Sequence, residues 1–207
     1  MIRQEGCKTF CEDSLEEIRP RILNAASDLF SEFGYAGTTM SMLAVNSGVS
    51  EEMLKAEFPE KQQILNELIG FHIDVLEGIR AFTRNNPELS PLKSMLREWE
   101  LMCEYMDNYR GTLQAYNQNR PIIAPWIGDR VNHFRSQDIE LLEKACALKE
   151  LPQVNAASLE AVLYGTLWGL IQESVQEQGG GNLTVIPGRV SSIVLEPLMH
   201  SSGISAS

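Results

Sequence analysis

Residues 38–61 read TTMSMLAVNSGVSEEMLKAEFPEK, and this stretch decides how the N-terminal part of the chain folds. Its pattern predicts two short helices joined by a tight turn. Thr39 and Ser50 each precede one helix, where a hydroxyl can accept a hydrogen bond from a free amide of the first turn. Gly48 lies between the helices and suits the tight turn there, because glycine adopts positive φ without a Cβ penalty. The arrangement is a helix-turn-helix, whose second helix commonly enters the DNA major groove.

The apolar residues of the same stretch have the spacing needed to bury one side of each helix. Leu43 and Ala44 are predicted to face inward, and the small Ala44 allows a second helix to cross closely above it. Leu54 and Phe58 are four residues apart, so they share one helix face and bury together. Pro59 ends the second helix, because the residue before a proline is disfavoured in the helical conformation.

Matching positions extend well beyond the motif. Over roughly residues 18–66 the sequence resembles the N-terminal domain of the tetracycline-repressor (TetR) family. Many positions agree with this family in both order and spacing, which makes the resemblance more specific than a lone helix-turn-helix pattern. The residues that carry it are 22–26, Phe30, 33–35, 38–39, 43–44, 47–50, Leu54 and 58–61.

The resemblance implies an all-α protein with an N-terminal three-helix helix-turn-helix domain and a C-terminal helical bundle for ligand binding and dimerisation. Residues 1–14 are expected to form a flexible arm and residues 15–60 the DNA-binding domain. Residues 61–200 are expected to form the effector-binding and dimerisation domain, followed by a tail at 201–207. The implied function is that of a one-component transcriptional regulator, a repressor that a small-molecule effector releases from a palindromic operator in double-stranded DNA.

The resemblance also implies which residues contact DNA. On the second helix of the motif, Met53, Lys55 and Ala56 are candidates for contact with bases or backbone. Glu51 or Glu52 could accept a hydrogen bond from a cytosine amino group, although such residues also serve simply as favourable charges in a first helical turn. The remaining DNA-binding candidates are Thr38, together with Thr39, Ser50 and Lys61, which are expected to contact phosphate.

The charge balance supports a competing interpretation. The formal net charge is -11, and residues 1–65 carry six basic and eleven acidic side chains. Because phosphate contacts dominate DNA affinity, we expect weak non-specific binding with strong salt dependence. Glu57 occupies a position where a carboxylate would repel phosphate. In the competing interpretation the chain is a TetR-like helical binding module with a degenerate, acidic recognition helix, and it acts through a ligand or a protein partner instead of DNA.

Helical periodicity predicts the remaining elements. A first helix runs from Leu15 or Pro20 to Phe33 and ends at Gly34. The helix at residues 60–82 connects the two domains and is expected to transmit a ligand signal by tilting. Further helices are predicted at 90–108, 109–119, 122–149, 155–178 and 188–199, with a loop at 117–121.

The central helices are rich in large, adaptable side chains. Such side chains either fill the core of a bundle or line a ligand cavity, and the sequence leaves both alternatives open for each of them. The resemblance favours a cavity for a small-molecule effector whose identity the sequence does not indicate. The candidate lining residues are Trp99, Met102, Cys103, Met106, Tyr109, Tyr116, Trp126 and Phe134.

The last long helix carries a ladder of small residues at intervals of four, namely Ala157, Ala161, Gly165 and Gly169. Glycine costs a helix about 1 kcal/mol per residue, so the ladder indicates that another helix approaches closely. The resemblance implies a homodimer with a two-fold, four-helix interface, and packing within one subunit is the alternative. The candidate interface residues are Ala161, Gly165, Gly169, Val190, Ile193 and Val194.

The sequence lacks the common motifs of enzymes and of cofactor binding. It contains no His-Glu-x-x-His metal site, no Gly-x-Ser-x-Gly elbow and no glycine loop that follows a strand and grips phosphate. We therefore expect no catalytic residue, no metal, no cofactor and no enzyme activity. No apolar run reaches the roughly 18 residues that a membrane helix needs, and the N-terminus has no apolar signal core. A cytoplasmic protein without membrane association is expected.

Overall fold

The computed structural model describes residues 15–176 and 181–201. The predicted arm at 1–14 and all but the first residue of the predicted tail at 201–207 lie outside these residues. All regular secondary structure in the described part of the chain is helical, which confirms the predicted fold class.

The helices follow one another with short connections. Three helices form the N-terminal unit: α1 (Leu15–Gly37), α2 (Met40–Ser47) and α3 (Glu51–Glu57). Four longer helices follow: α4 (Lys61–Arg84), α5 (Pro91–Asn108), α6 (Arg110–Ala147) and α7 (Ala156–Gln176). The C-terminal segment consists of a 3₁₀ turn (Leu183–Val185), α8 (Ile186–Val190), a π-helical turn (Ser191–Leu195) and α9 (Glu196–Ser201).

Helices α1 to α3 pack around one apolar core, which the first turns of α4 complete. The apolar residues of α1 recur at helical spacing and form the predicted buried face. Ala44 is almost fully buried, as expected for a residue beneath a closely crossing helix. The core residues of these elements are Ile18, Ile22, Ala26, Leu29, Phe30, Leu43, Ala44, Leu54, Phe58, Ile64 and Leu65.

The end of α1 differs from its prediction. Gly34 leaves the helical conformation at φ 70° and ψ 167°, but helical structure resumes and continues to Gly37. The Thr38 hydroxyl donates to the carbonyl oxygens of Leu29 at 3.1 Å and Gly34 at 2.9 Å. The carbonyls freed by the kink are therefore satisfied inside a corner that fixes where α2 begins.

The predicted loop at 117–121 is wrong, because α6 is continuous from Arg110 to Ala147 and contains Pro121 and Pro125. A proline inside a helix removes one amide donor and costs about 3 kcal/mol. Packing on both sides offsets this cost: Ile123 and Ile127 are buried in the N-terminal core, while Leu142 is buried in the second core. Tertiary contacts therefore override the local signal for a break.

The second core lies among α5, α6, α7 and the C-terminal segment. Helices α4 and α6 contribute to the walls between the two cores, so both helices run from the N-terminal unit into the helical bundle. The largest fully buried side chains of this bundle include Met95, Leu142 and Leu151. Val190 and Leu195 anchor the C-terminal segment with no exposed surface.

Candidate DNA-binding surface and effector cavity

The helix-turn-helix is fixed by the capping interactions that its sequence predicts. The Thr39 hydroxyl accepts from the Met42 amide at 3.2 Å, and the Ser50 hydroxyl accepts from the Met53 amide at 3.1 Å. Gly48 adopts the left-handed conformation at φ 67° and ψ 32°. These three predictions are confirmed, and the caps hold α3 at a defined angle to α2.

The outer face of α3, which we call the motif surface, consists of Glu51, Glu52, Met53, Lys55 and Ala56, all of them exposed. Lys55 Nζ lies 3.8 Å from Glu51 Oε2, and the Ser41 hydroxyl also donates to the Glu51 carboxylate. Lys55 is more than half exposed, so this ion pair is weak and the ammonium can change partner at little cost. The motif surface thus offers one basic group among two acidic ones.

Two of the predicted DNA-contacting residues have internal roles. Thr38 is 1% exposed and its hydroxyl is used within the corner after α1, so its side chain is not available to phosphate. Lys61 Nζ donates to the carbonyl oxygens of Tyr35 at 2.5 Å and Thr38 at 2.7 Å. It also lies 4.3 Å from the centre of the Tyr35 ring, and burial lowers its pKa. Lys61 therefore ties α4 to the corner and keeps one N–H for any other partner.

Arg19 and Arg21, the basic residues of α1, also bind within the unit. Arg19 pairs with Glu57 at 2.8 Å and with Glu67, and it stacks over the Phe58 ring. Arg21 donates to the carbonyl oxygens of Ser47 at 3.0 Å and Gly48 at 2.9 Å, at the turn of the motif. Arg19 is shared between the Glu57 and Glu67 carboxylates, so it offsets part of the negative charge of Glu57 and part of the expected repulsion of phosphate.

A cavity of about 180 Å³, which we call the effector cavity, lies among α4, α5, α6 and α7. Most of its wall is apolar or aromatic. Seven of the eight predicted ligand-binding residues line it: Trp99, Met102, Cys103, Met106, Tyr109, Tyr116 and Phe134. This volume is far larger than a single buried water requires, so the cavity can hold a small organic molecule.

Trp126 is the predicted lining residue that the structure places elsewhere. Its side chain is 51% exposed and lies over Gly70 of α4, where an added Cβ would be 3.0 Å from the indole ring. It borders a shallow surface groove with Phe71 and Arg130. Trp126 was predicted from its size and its place among the large side chains of the central helices, and these do not indicate which face of α6 is buried.

Several polar residues of the cavity were not predicted from the sequence. His72 lies on α4, Tyr105 on α5, and Tyr164 and Trp168 on α7. His72 Nδ1 is 2.6 Å from the Tyr105 hydroxyl, and burial lowers the His72 pKa to about 4. These residues lie far apart in the sequence, so no local pattern groups them. For His72 alone, its position on an apolar helix face indicates that the side chain is buried.

Charged side chains at one end of the cavity form a buried network, which we call the charge cluster: Arg80, Arg84, Glu98 and Asp138. Glu98 is fully buried; its Oε1 makes an ion-pair contact of 2.7 Å with Arg80 without hydrogen-bond geometry, and its Oε2 accepts from Arg84 at 3.0 Å. Burial raises the pKa of the Glu98 carboxyl, and the two guanidinium groups oppose that rise. The cluster joins α4, α5 and α6.

Helix α6 touches the N-terminal unit and the cavity at the same place. An added Cβ at Gly111 would lie 1.9 Å from Ser31 Oγ and 2.2 Å from Ser31 Cα, so α1 and α6 are in backbone contact here. The hydroxyl oxygen of the next residue, Thr112, lies 3.5 Å from the hydroxyl oxygen of Ser27, and Thr112 also lines the cavity. A ligand that displaces this turn of α6 therefore acts directly on α1.

The small-residue ladder of α7, which we call the α7 strip, is exposed along its whole length: Ala157, Ala161, Gly165 and Gly169. Among residues 15–176 and 181–201, an added Cβ at Gly165 or Gly169 meets nothing within 4 Å. Ile193 is 57% exposed and Val194 is partly buried, whereas Val190 is fully buried in the core and cannot belong to a subunit interface. Packing within the subunit therefore does not account for the glycines of this ladder.

The search for metal and membrane features is restricted to residues 15–176 and 181–201. Within them, no group of three or more His, Cys, Asp or Glu side chains is arranged to hold a metal ion. No helix in the same range is both long enough and apolar enough to cross a membrane.

Residues 22–68 match the family described as bacterial regulatory proteins, tetR family. The HTH-type transcriptional regulator RutR of Escherichia coli K12 is 28% identical over 127 residues, which are 51% of this chain and 60% of RutR. The chain thus matches less than two thirds of the length of this curated relative.

Solved structures resemble the chain over most of its length. A regulator from Saccharomonospora viridis in complex with choline has a TM-score of 0.76 at 18% identity, covering 87% of this chain and 96% of that chain. AibR, in complex with isovaleryl coenzyme A and operator DNA, has a TM-score of 0.69 at 15% identity, covering 85% of this chain and 97% of that chain. At these identities the likeness concerns the fold alone.

Proposed function

We propose that this chain, which belongs to the TetR family by its N-terminal helix-turn-helix domain, is a one-component transcriptional regulator of the cytoplasm. As a homodimer it binds a palindromic operator through residues 15–60, and residues 61–200 bind the effector and form the dimer. It acts as a repressor that a small molecule releases from DNA.

The observation that carries this proposal is the position of α3. Its inner residues Leu54 and Phe58 are buried and its start is capped by Ser50. Its outer residues are exposed, and the Ser41 hydroxyl of α2 donates to one of them, Glu51. A recognition helix needs this combination, because the helix must be rigidly oriented while its side chains remain available to base edges. Met53, Lys55 and Ala56 are the proposed contacts, with Thr39, Ser50 and the remaining N–H of Lys61 at phosphates.

The α7 strip supports the proposed homodimer. A row of exposed small residues lets an identical helix approach through a two-fold axis, and exposed Val162 and Ile193 supply apolar area beside it. Since Gly165 has open space around it, Gly165→Lys should leave the subunit folded and disrupt the dimer. Gly78→Lys is the matched control on α4, because Gly78 is also exposed and no atom of the described residues lies near its Cβ position. Light scattering should show a monomer for the first variant and a dimer for the second.

The contact between Gly111 and Ser31 supports a route for the effector signal. Ligand binding that moves the first turns of α6 would shift α1 and change the separation of the two α3 helices in the dimer. Such a shift releases DNA only if the ligand binds the shifted state more tightly than the DNA-bound one. Helix α4, which carries His72 and the Lys61 tie, provides a second connection.

A gel-shift titration at low salt against the promoter region of the chain's own gene tests DNA binding. The proposal predicts a shift for the natural chain, a weaker shift for Lys55→Ala and an unchanged shift for Lys93→Ala. Both lysines are exposed, and both changes remove one positive charge, but Lys93 lies on α5, away from the motif. Loss of one phosphate contact should also lower the slope of log affinity against log salt by about 0.9.

The alternative function is a TetR-like module that acts through a ligand or protein partner instead of DNA. The inward pairing of Arg19, Arg21 and Lys61 favours it, because those side chains contribute little positive charge to the motif surface. A folded dimer that binds no DNA at low salt would support this module and contradict the repressor.

A further inference from the structure

The chemistry of the effector cavity restricts the molecule that can fill it. This inference rests on the proposed function, since it assumes that the cavity is the effector site, and it concerns the charge and the polar groups of the effector. Three features carry it: the balance of buried charge, the unpaired polar atoms in the wall and the aromatic surroundings of those atoms.

The charged side chains at the cavity are already paired with one another. Arg80, Asp138, Arg135 and Glu160 line it. Arg135 binds Glu160 through two hydrogen bonds of 2.8 and 2.7 Å, and Glu160 is 3% exposed. Arg84 and Glu98 lie behind the wall. Counted with the four lining side chains, they give three positive and three negative formal charges.

A charged ligand would therefore enter an apolar site without a counter-charge. An ion in such a site loses its hydration, and the usual compensation is a partner of opposite sign. Aromatic rings also attract a cation, but a cation cannot accept a hydrogen bond from the N–H donors of the wall described below. To obtain such a partner, the ligand would have to break a buried ion pair and leave its other member alone. The cavity thus selects against both anions and cations.

His72 supplies a hydrogen-bond donor that has no acceptor in the described part of the subunit. The side chain is 9% exposed and lines the cavity, and its Nε2 has no partner there. We assign the Tyr105 hydroxyl as the donor to His72 Nδ1, because this gives the hydroxyl proton an acceptor, and the imidazole proton is then on Nε2. The low pKa of His72 keeps the ring neutral at physiological pH.

Trp168 supplies a second unmatched donor. Its Nε1–H has no hydrogen-bond partner in the same described residues, and the indole can only donate. The Tyr116 ring packs edge-on at 5.8 Å from Trp168, and Tyr109 lies 4.8 Å from His72, both measured between ring centres. The two N–H groups are thus buried in an aromatic wall with almost no open surface of their own, where an unpaired donor is costly. A ligand oxygen reaches them when the side chains that cover them shift.

We propose that the effector is an uncharged, mainly apolar molecule that carries carbonyl- or ether-type oxygen for the N–H groups of His72 and Trp168. Aromatic or planar apolar surface on the molecule matches the wall of tyrosine and tryptophan rings. The donors orient the ligand, and the apolar contacts supply most of its affinity.

Binding of four small probes tests this proposal on the full chain: acetophenone, ethylbenzene, benzoate and choline. The methyl groups of Met102 and Met106 line the cavity, so ¹³C labels at methionine methyls report binding there by NMR. We expect acetophenone to bind about fivefold more tightly than ethylbenzene, since one added hydrogen bond contributes about 1 kcal/mol. Benzoate and choline should leave the two methyl signals unmoved at the same concentrations.

Two variants assign the donors. His72→Phe keeps the ring shape and should lower acetophenone affinity to that of ethylbenzene, while His72→Gln keeps an N–H and should retain part of the preference. Trp168→Phe removes the second donor and should leave the acetophenone preference unchanged, because one hydrogen bond, from His72, accounts for it. Ethylbenzene binding should stay constant in all variants, which shows that the cavity is intact.

The proposal is overturned if benzoate or choline binds more tightly than acetophenone, or if acetophenone and ethylbenzene bind equally well to the natural chain. It is also overturned if no probe moves the methyl signals. The gel shift with promoter DNA is measured without any probe, so a retained shift in these cases leaves the proposed regulator standing and removes only this ligand class.

Discussion

The motif surface and the effector cavity both lie near many charged side chains, but those charges are paired in different ways. Around the motif, Arg19, Arg21 and Lys61 bind groups inside the N-terminal unit, and the exposed face keeps Glu51, Glu52 and Lys55. Around the cavity, the charged side chains that line the wall or lie just behind it are paired with one another. A count of charges along the chain therefore does not give the charge that either DNA or an effector meets.

The largest effect should come from breaking the charge cluster. Glu98→Gln removes the carboxylate that faces Arg80 and Arg84 and leaves the guanidinium groups undercompensated in a buried place. We expect a loss of about 3–5 kcal/mol in the free energy of unfolding, measured with urea. Glu100→Gln on the same helix is the control, because its pair with Arg97 is half exposed, and we expect about 0.5 kcal/mol or less. Equal effects would contradict the distinction between the two environments.

The pH dependence of the free energy of unfolding should show that His72, in the cavity wall, is buried as a neutral group. The His72 pKa is about 4 in the folded chain and ordinarily 6.5, so the unfolded chain takes up the proton first. The contribution of neutral His72 to the free energy of unfolding is therefore fully present above pH 6.5. It falls by about 2–3 kcal/mol as the pH is lowered to 4. Urea titrations should show that His72→Phe removes this part of the slope, whereas His133→Phe, at an exposed site on α6, retains it. A slope unchanged in His72→Phe would mean that the imidazole is not buried as a neutral group.

The connection between the two regions should be sensitive to one methyl group. Gly111→Ala places Cβ against the Ser31 backbone, and such overpacking costs about 1–3 kcal/mol. Gly128→Ala on the same helix has open space and should be neutral or stabilising by about 0.5–1 kcal/mol, because alanine favours a helix. Thermal unfolding of both variants measures the difference. A neutral Gly111→Ala would show that α1 and α6 separate easily and would remove the proposed signal route.

The smallest stability losses are expected from substitutions of the two lysines near the motif, and they should differ between the two. Lys61→Met removes the donor to the Tyr35 and Thr38 carbonyls and should cost about 1–2 kcal/mol of stability. Lys55→Met should cost about 0.5 kcal/mol or less, since its only described ion pair, with Glu51, is exposed. Urea unfolding at one ionic strength compares them. If Lys55→Met is the more destabilising change, the division between an internal and an outward lysine is wrong.

Local sequence signals predicted the motif well because its determinants are local. Caps at Thr39 and Ser50 and the turn at Gly48 depend on neighbours within four residues, and the apolar spacing of α1 needs only helical periodicity. The continuity of α6 through Pro121 could not be predicted in this way, because packing against α1 and α7 decides it.

The same limit applies to the functional residues. The charge cluster joins Arg80 and Asp138 across 58 positions, and no periodic pattern relates them. Thr38 and Lys61 matched the motif of the family, but their polar atoms complete the corner after α1 instead of remaining free. Large side chains on the central helices did indicate the cavity, although Trp126 lies on the surface over Gly70.

Hydrogen–deuterium exchange with and without promoter DNA at low salt tests the central claim most directly. If the motif surface contacts the duplex, exchange in residues 50–57 should slow on addition of DNA, while exchange in residues 157–169 should not change. Binding without protection of residues 50–57, or protection confined to another surface, would contradict the account of α3 as the recognition helix.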